Sequence, residues 1–61
     1  MLIRYSKEDD NVRIYVNGKK TNLYFRRTCY ASYIIYKDGT PICEQYSMEQ
    51  VANKIKEISS R

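Results

Sequence analysis

The sequence predicts an α+β fold, a small antiparallel sheet of three to five short strands packed on one C-terminal α-helix. Three observations predict it. Residues 11–16 alternate apolar and polar side chains, the period of a half-buried strand. Two dipeptides, Asn17-Gly18 and Asp38-Gly39, carry the hairpin signature of residues that tolerate positive φ. From Ser47 onward the apolar spacing changes to that of a helix.

Taken in order, Leu2 to Tyr5 reads as a short strand and Ser6 to Asp10 as a turn. Asn11 to Val16 follows as a strand with Val12, Ile14 and Val16 on one side. A two-residue turn at Asn17-Gly18 sets Val16 opposite Lys19, Ile14 opposite Thr21 and Val12 opposite Leu23. Cross-strand partners share a side, so Val12, Ile14, Leu23 and Phe25 form the core side. Arg13, Tyr15, Lys20, Asn22, Tyr24 and Arg26 fall on the other. A one-residue slip would exchange the two sides.

Tyr30 to Tyr36 is aromatic and β-branched, and Asp38-Gly39 turns it back. Tyr33 and Ile35 lie on one side, Ile34 and Tyr36 on the other, the pattern of an interior strand covered on both faces. Pro41 has no amide hydrogen, which puts the strand through Ile42 and Cys43 at an edge or starts it after the proline. Ser47-Met48-Glu49-Gln50 is a capping box, with Tyr46 and Val51 spaced as a hydrophobic staple. Met48, Val51, Ala52, Ile55 and Ile58 then draw one apolar stripe.

Sixty-one residues allow one domain, and a chain this short buries only about 60% of its unfolded surface. A small core fits; an enclosed cavity with a catalytic shell does not. The composition, 43% hydrophobic and 30% charged, is that of a folded chain. No apolar run is long enough to cross a bilayer, and the N-terminus lacks a signal-peptide core. The expected setting is therefore cytoplasmic, with Cys29 and Cys43 as free thiols.

The chemistry of catalysis is thinly supplied. The chain has no histidine, and its two glycines sit in turns rather than in a phosphate loop. Two cysteines alone fall short of a zinc site, and Glu8, Asp9 and Asp10 read as solvated turn acids. Cys29 follows Arg26 and Arg27, which would favour a thiolate, but no base accompanies it. The expectation is no enzyme, no metal, no cofactor and no small-molecule substrate.

The net charge is +4, and its placement says more than its size. From Asn11 to Lys37 there is no acid, while Arg13, Lys19, Lys20, Arg26, Arg27 and Lys37 fall there. Arginine grips phosphate with two parallel hydrogen bonds, and tyrosine offers a ring on which bases stack. Arg13, Lys20 and Arg26 as phosphate contacts, Tyr15 and Tyr24 as ring contacts, and Lys19 and Arg27 at the margin make the candidate site. Two readings compete with nucleic acid. Tyrosine and arginine are also hot-spot residues of protein interfaces, so the face equally fits an acidic protein surface. The plainer reading is a solvated face on which arginine stems cover rings. The apolar surplus from Tyr30 to Tyr36 also allows a homo-oligomer.

The stretch YASYIIYKDGTPICEQYSMEQVANKIKEI, taken with the strand before it, resembles the layout of AP2-type and phage-integrase N-terminal DNA-binding domains over roughly residues 20 to 58. That resemblance implies a three-stranded sheet set in the major groove by arginine and aromatic side chains. In composition, the small chain rich in Lys, Ile and Tyr also resembles accessory proteins of bacteriophages and mobile elements, which implies binding and inhibition of one host protein.

Overall fold

The computed structural model describes residues 1–60. Five strands, β1 (Ile3–Glu8), β2 (Asn11–Val16), β3 (Lys19–Arg27), β4 (Tyr33–Lys37) and β5 (Thr40–Gln45), precede one helix, α1 (Met48–Ser59). The strands form a single antiparallel meander in the order β1-β2-β3-β4-β5. The predicted α+β class is what the chain adopts, with the sheet at its five-strand limit. No helix among the described residues is long and apolar enough to cross a membrane.

The hairpins turn where Asx and glycine residues permit it. Asn17 and Gly18 take φ of 54° and 80°, and Asp38 and Gly39 take 54° and 83°, as a type I′ turn requires. A further turn at Asp9, φ 55°, joins β1 to β2. β1 therefore runs to Glu8, beyond the expected end at Tyr5, because Ser6, Lys7 and Glu8 pair with Arg13, Val12 and Asn11. β4 begins at Tyr33 instead of Tyr30, and residues 28–32 form the one long connection in the sheet.

The β2–β3 register holds one correction. Val16 pairs with Lys19 and Tyr15 with Lys20 as expected, but beyond them the ladder shifts, so that Arg13 pairs with Tyr24 and Val12 with Phe25. Val12 is thus opposite Phe25, not Leu23, and Ile14 has no direct partner in Thr21. Instead the Thr21 hydroxyl donates to the Ile14 carbonyl at 2.6 Å and accepts from the Leu23 amide at 3.2 Å. Three residues of β3 face one residue of β2, and the hydroxyl occupies backbone groups the bulge would leave unmade. The shift is an even number of residues, so the two sides keep their occupants.

Ile14, Leu23, Phe25, Ile35, Val51 and Ile55 make the buried core. Ile14, Ile35, Val51 and Ile55 are wholly excluded from solvent, each worth about 1.5–3 kcal/mol of burial. Phe25 meets Tyr5 and Tyr33 edge-on, with ring centroids at 5.5 and 5.6 Å. The α1 cap forms with one difference. Gln50 N–H donates to Ser47 Oγ at 3.1 Å, while Gln50 Oε1 accepts from the Tyr46 amide at 2.8 Å, one residue before the cap. The predicted staple does not close. Val51 is buried, but Tyr46 remains 67% exposed, its hydroxyl donating to Glu44 Oε1 at 3.4 Å.

Candidate binding face

With α1 covering one side of the sheet, the registers settle what the other side carries. Arg4, Ser6 and Glu8 of β1 share it with Asn11, Arg13 and Tyr15 of β2. Lys20, Tyr24 and Arg26 of β3 join them, followed by Ile34 and Tyr36 of β4 and Glu44 of β5. Five of the seven predicted site residues, Arg13, Tyr15, Lys20, Tyr24 and Arg26, therefore meet on one uncovered face.

Lys19 and Arg27 do not join them. Lys19 pairs with Val16 and Arg27 with Tyr33, and these partners pack against the core. Alternation along β3 thus places both cations on the helix side, where they are exposed at the margin.

A rib of side chains crosses the face from strand to strand. The Arg13 Nε donates to Glu8 Oε1 at 3.3 Å, and its Nη1 donates to the Thr21 carbonyl at 3.3 Å. The same guanidinium lies 5.2 Å from the Tyr24 ring centroid, and Tyr24 stacks on Tyr36 at 4.9 Å with an interplanar angle of 8°. Arg13 approaches Tyr24 from β2 and Tyr36 approaches from β4, so Tyr24 has a neighbour on each flank. Both flanks of Tyr24 are thus occupied, and the ring serves as a fixed support. Tyr15, paired with Arg4 on one side and Lys20 on the other, is the ring set directly among cations.

The charges divide into held and available ones. Glu8, expected to be an idle turn acid, is the anion that pairs with cations of the face: besides Arg13 it approaches Lys20 Nζ at 3.9 Å. Arg26 Nε donates to Asn11 Oδ1 at 3.2 Å, a neutral partner, and Arg26 forms no ion pair among the described residues. Arg4 is exposed and forms no ion pair among the described residues. Sequence reading missed Arg4 because the pairing of β1 with β2 was the signal that would have placed it. The face carries four cations against Glu8 and Glu44.

Neither family models, nor curated proteins, nor solved structures match this chain. The chain does run β3-β4-β5 followed by α1, and no comparison ties that order to AP2-type or integrase N-terminal domains.

One further cluster lies beside the face. Ser32 is fully buried; its hydroxyl lies 2.6 Å from Thr28 Oγ1 and donates to Glu44 Oε2 at 2.6 Å. Thr28 N–H donates to the Ser32 carbonyl at 2.8 Å and closes the loop. The tip holds Cys29 and Tyr30 in solvent, Tyr30 being 85% exposed. Cys43, the other free thiol, is half-buried on β5.

Proposed function

We propose that the uncovered face of the sheet binds nucleic acid and that the chain does so without performing chemistry, in a cytoplasmic setting. Arg26, Arg4 and Lys20 take phosphates, Tyr15 packs on a sugar or base between its flanking cations, and the Arg13–Tyr24–Tyr36 rib holds the surface rigid beneath them. The observation that supports this reading most is the gathering of four cations and three tyrosines on the one side that α1 leaves open. A strand-borne surface of this kind can lie in a groove or along a single strand. The test is a titration of labelled single-stranded DNA, duplex DNA and RNA at two salt concentrations. Three phosphate contacts on a duplex predict about a 40-fold loss of affinity between 50 and 200 mM salt. No binding at the lower salt would end the reading.

A second reading draws on the rib itself. Glu8 compensates part of the positive charge, and rigid tyrosines beside arginine are what protein interfaces use as anchors. The partner would be a protein with an acidic surface, such as one that normally receives nucleic acid and is blocked by this chain. Its complex would survive nuclease treatment, whereas one bridged by nucleic acid would not.

A further inference from the structure

The sheet has two edges, and they differ. β5 contains Pro41, which lacks an amide hydrogen, and its ladder to β4 is irregular between Ile35 and Tyr36. β1 has neither defence. The Leu2 carbonyl accepts from the Asn17 amide at 2.7 Å, so Leu2, Arg4, Ser6 and Glu8 turn their backbone groups toward β2. By alternation Ile3, Tyr5 and Lys7 turn theirs outward, a row of unmade donors and acceptors.

We propose that β1 pairs antiparallel with β1 of a second copy of this chain, about a two-fold axis through Ser6. Charge selects both partner and register. Axes through Arg4 or Lys7 would set two like cations face to face, which is destabilising. An axis through Tyr5 would place Arg4 opposite Ser6 and Ile3 opposite Lys7, matching no charge. The axis through Ser6 places Arg4 opposite the second copy's Glu8 and Tyr5 opposite the second copy's Lys7, each twice by symmetry.

The backbone agrees with this choice. Tyr5 and the second copy's Lys7 both present outward groups and exchange hydrogen bonds. Arg4 and the second copy's Glu8 form the intervening pair, in which side chains approach most closely. Arg4, which forms no ion pair among the described residues of the single chain, gains an anion. Glu8 can accept it because its side chain is still 40% exposed while holding Arg13. Tyr5, 39% exposed, gains a cation near its ring. Lys7, a residue type that blunts sheet edges, opposes the axis through itself and fits this one.

Partners across the axis share a side of the sheet, so the two uncovered faces become one surface. The ladder spans only residues 4–8, well under the area of a standard interface, and the association is weak and concentration-dependent. It stands whether or not the face binds nucleic acid.

Sedimentation equilibrium of the unmodified chain from micromolar to millimolar concentration gives the first measurement, and a monomer at every concentration would overturn the proposal. Register is read by cross-linking with Cys29→Ser and Cys43→Ala as background. Across the axis, Ser6 and its counterpart form a non-hydrogen-bonded pair with Cα atoms about 4.5 Å apart, within reach of a disulfide. Under mild oxidation Ser6→Cys should dimerise rapidly, while Tyr5→Cys and a distant Ser60→Cys should not. Adding Arg4→Glu should slow Ser6→Cys cross-linking about tenfold, by replacing two attractions with two repulsions. Cross-linking of Ser6→Cys no faster than Ser60→Cys, faster reaction of Tyr5→Cys, or indifference to Arg4→Glu would each overturn it.

Discussion

Tyr24 and Tyr36 stack across β3 and β4 with ring centroids 4.9 Å apart, on the face that no helix covers. A half-buried stack held this closely makes the surface stiff before anything binds. Such a pair contributes about 0.5–1.5 kcal/mol beyond area burial. Tyr36→Ala should therefore lower stability by about 1–2 kcal/mol in urea unfolding, and Tyr36→Phe by far less, since the hydroxyl is not part of the stack.

The division of cations between the two sides can be read from salt dependence. If nucleic acid lies on the uncovered face, Arg26→Ala should reduce the slope of log affinity against log salt by about 0.9 for duplex DNA. Lys19→Ala, on the helix side, should leave that slope nearly unchanged. Equal effects of the two substitutions would show that the charge acts diffusely and not through one face.

Thr21 is the structural residue of the β2–β3 bulge. Thr21→Val keeps the shape but removes the hydroxyl between the Ile14 carbonyl and the Leu23 amide. Stranding two part-buried backbone groups should cost about 1–2 kcal/mol, measured by denaturant titration. Thr21→Ser should recover most of it.

Much of the fold was legible because local signals agreed. The Asn17-Gly18 and Asp38-Gly39 turns and the change of period at Ser47 each have one structural meaning. The bulge was not legible: an insertion that preserves alternation leaves the apolar pattern of β3 unchanged, and only the Thr21 hydroxyl records it. The extension of β1 through Glu8 was hidden because an edge strand buries little, so Ser6-Lys7-Glu8 gives no apolar signal. That hidden extension also concealed Arg4 and the role of Glu8. Lys19 and Arg27 neighbour the site in sequence, but strand alternation sends them to the other side.

Ala31 sits at φ 59°, a left-handed conformation costing an alanine about 1–2 kcal/mol. Ala31→Gly relieves that cost while adding about 0.5–1 kcal/mol of freedom to the unfolded chain. The net expectation is neutral to about 1 kcal/mol more stable. Ala52→Gly, within α1, should instead destabilise by about 1 kcal/mol. No loss of stability in Ala31→Gly beside a clear loss in Ala52→Gly, measured by thermal and urea unfolding, is the decisive outcome.

Burial raises the pKa of the Tyr5 hydroxyl above its ordinary value of 10.0. The folded state therefore holds this proton more tightly than the unfolded one. The associated stability is fully present below pH 10 and is lost as pH rises through the folded pKa. Stability should fall on the alkaline side, and Tyr5→Phe should make that fall shallower. Absorbance titration of the phenolates should find Tyr5 ionising later in the intact chain than in the Tyr5→Phe difference spectrum of the unfolded protein.

The meander has a kinetic consequence. Each strand pairs only with its neighbours along the chain, and three of the four connections are two-residue turns. Loop-closure costs are therefore small and relative contact order is low for a sheet. Hairpins can zip within microseconds, yet Ile14 and Ile35 stay wet until Val51 and Ile55 arrive from the last segment. Docking of α1 should thus be the late, rate-setting event, and a chain whose helix has not yet emerged from the ribosome would expose its greasy side until that segment is free to fold.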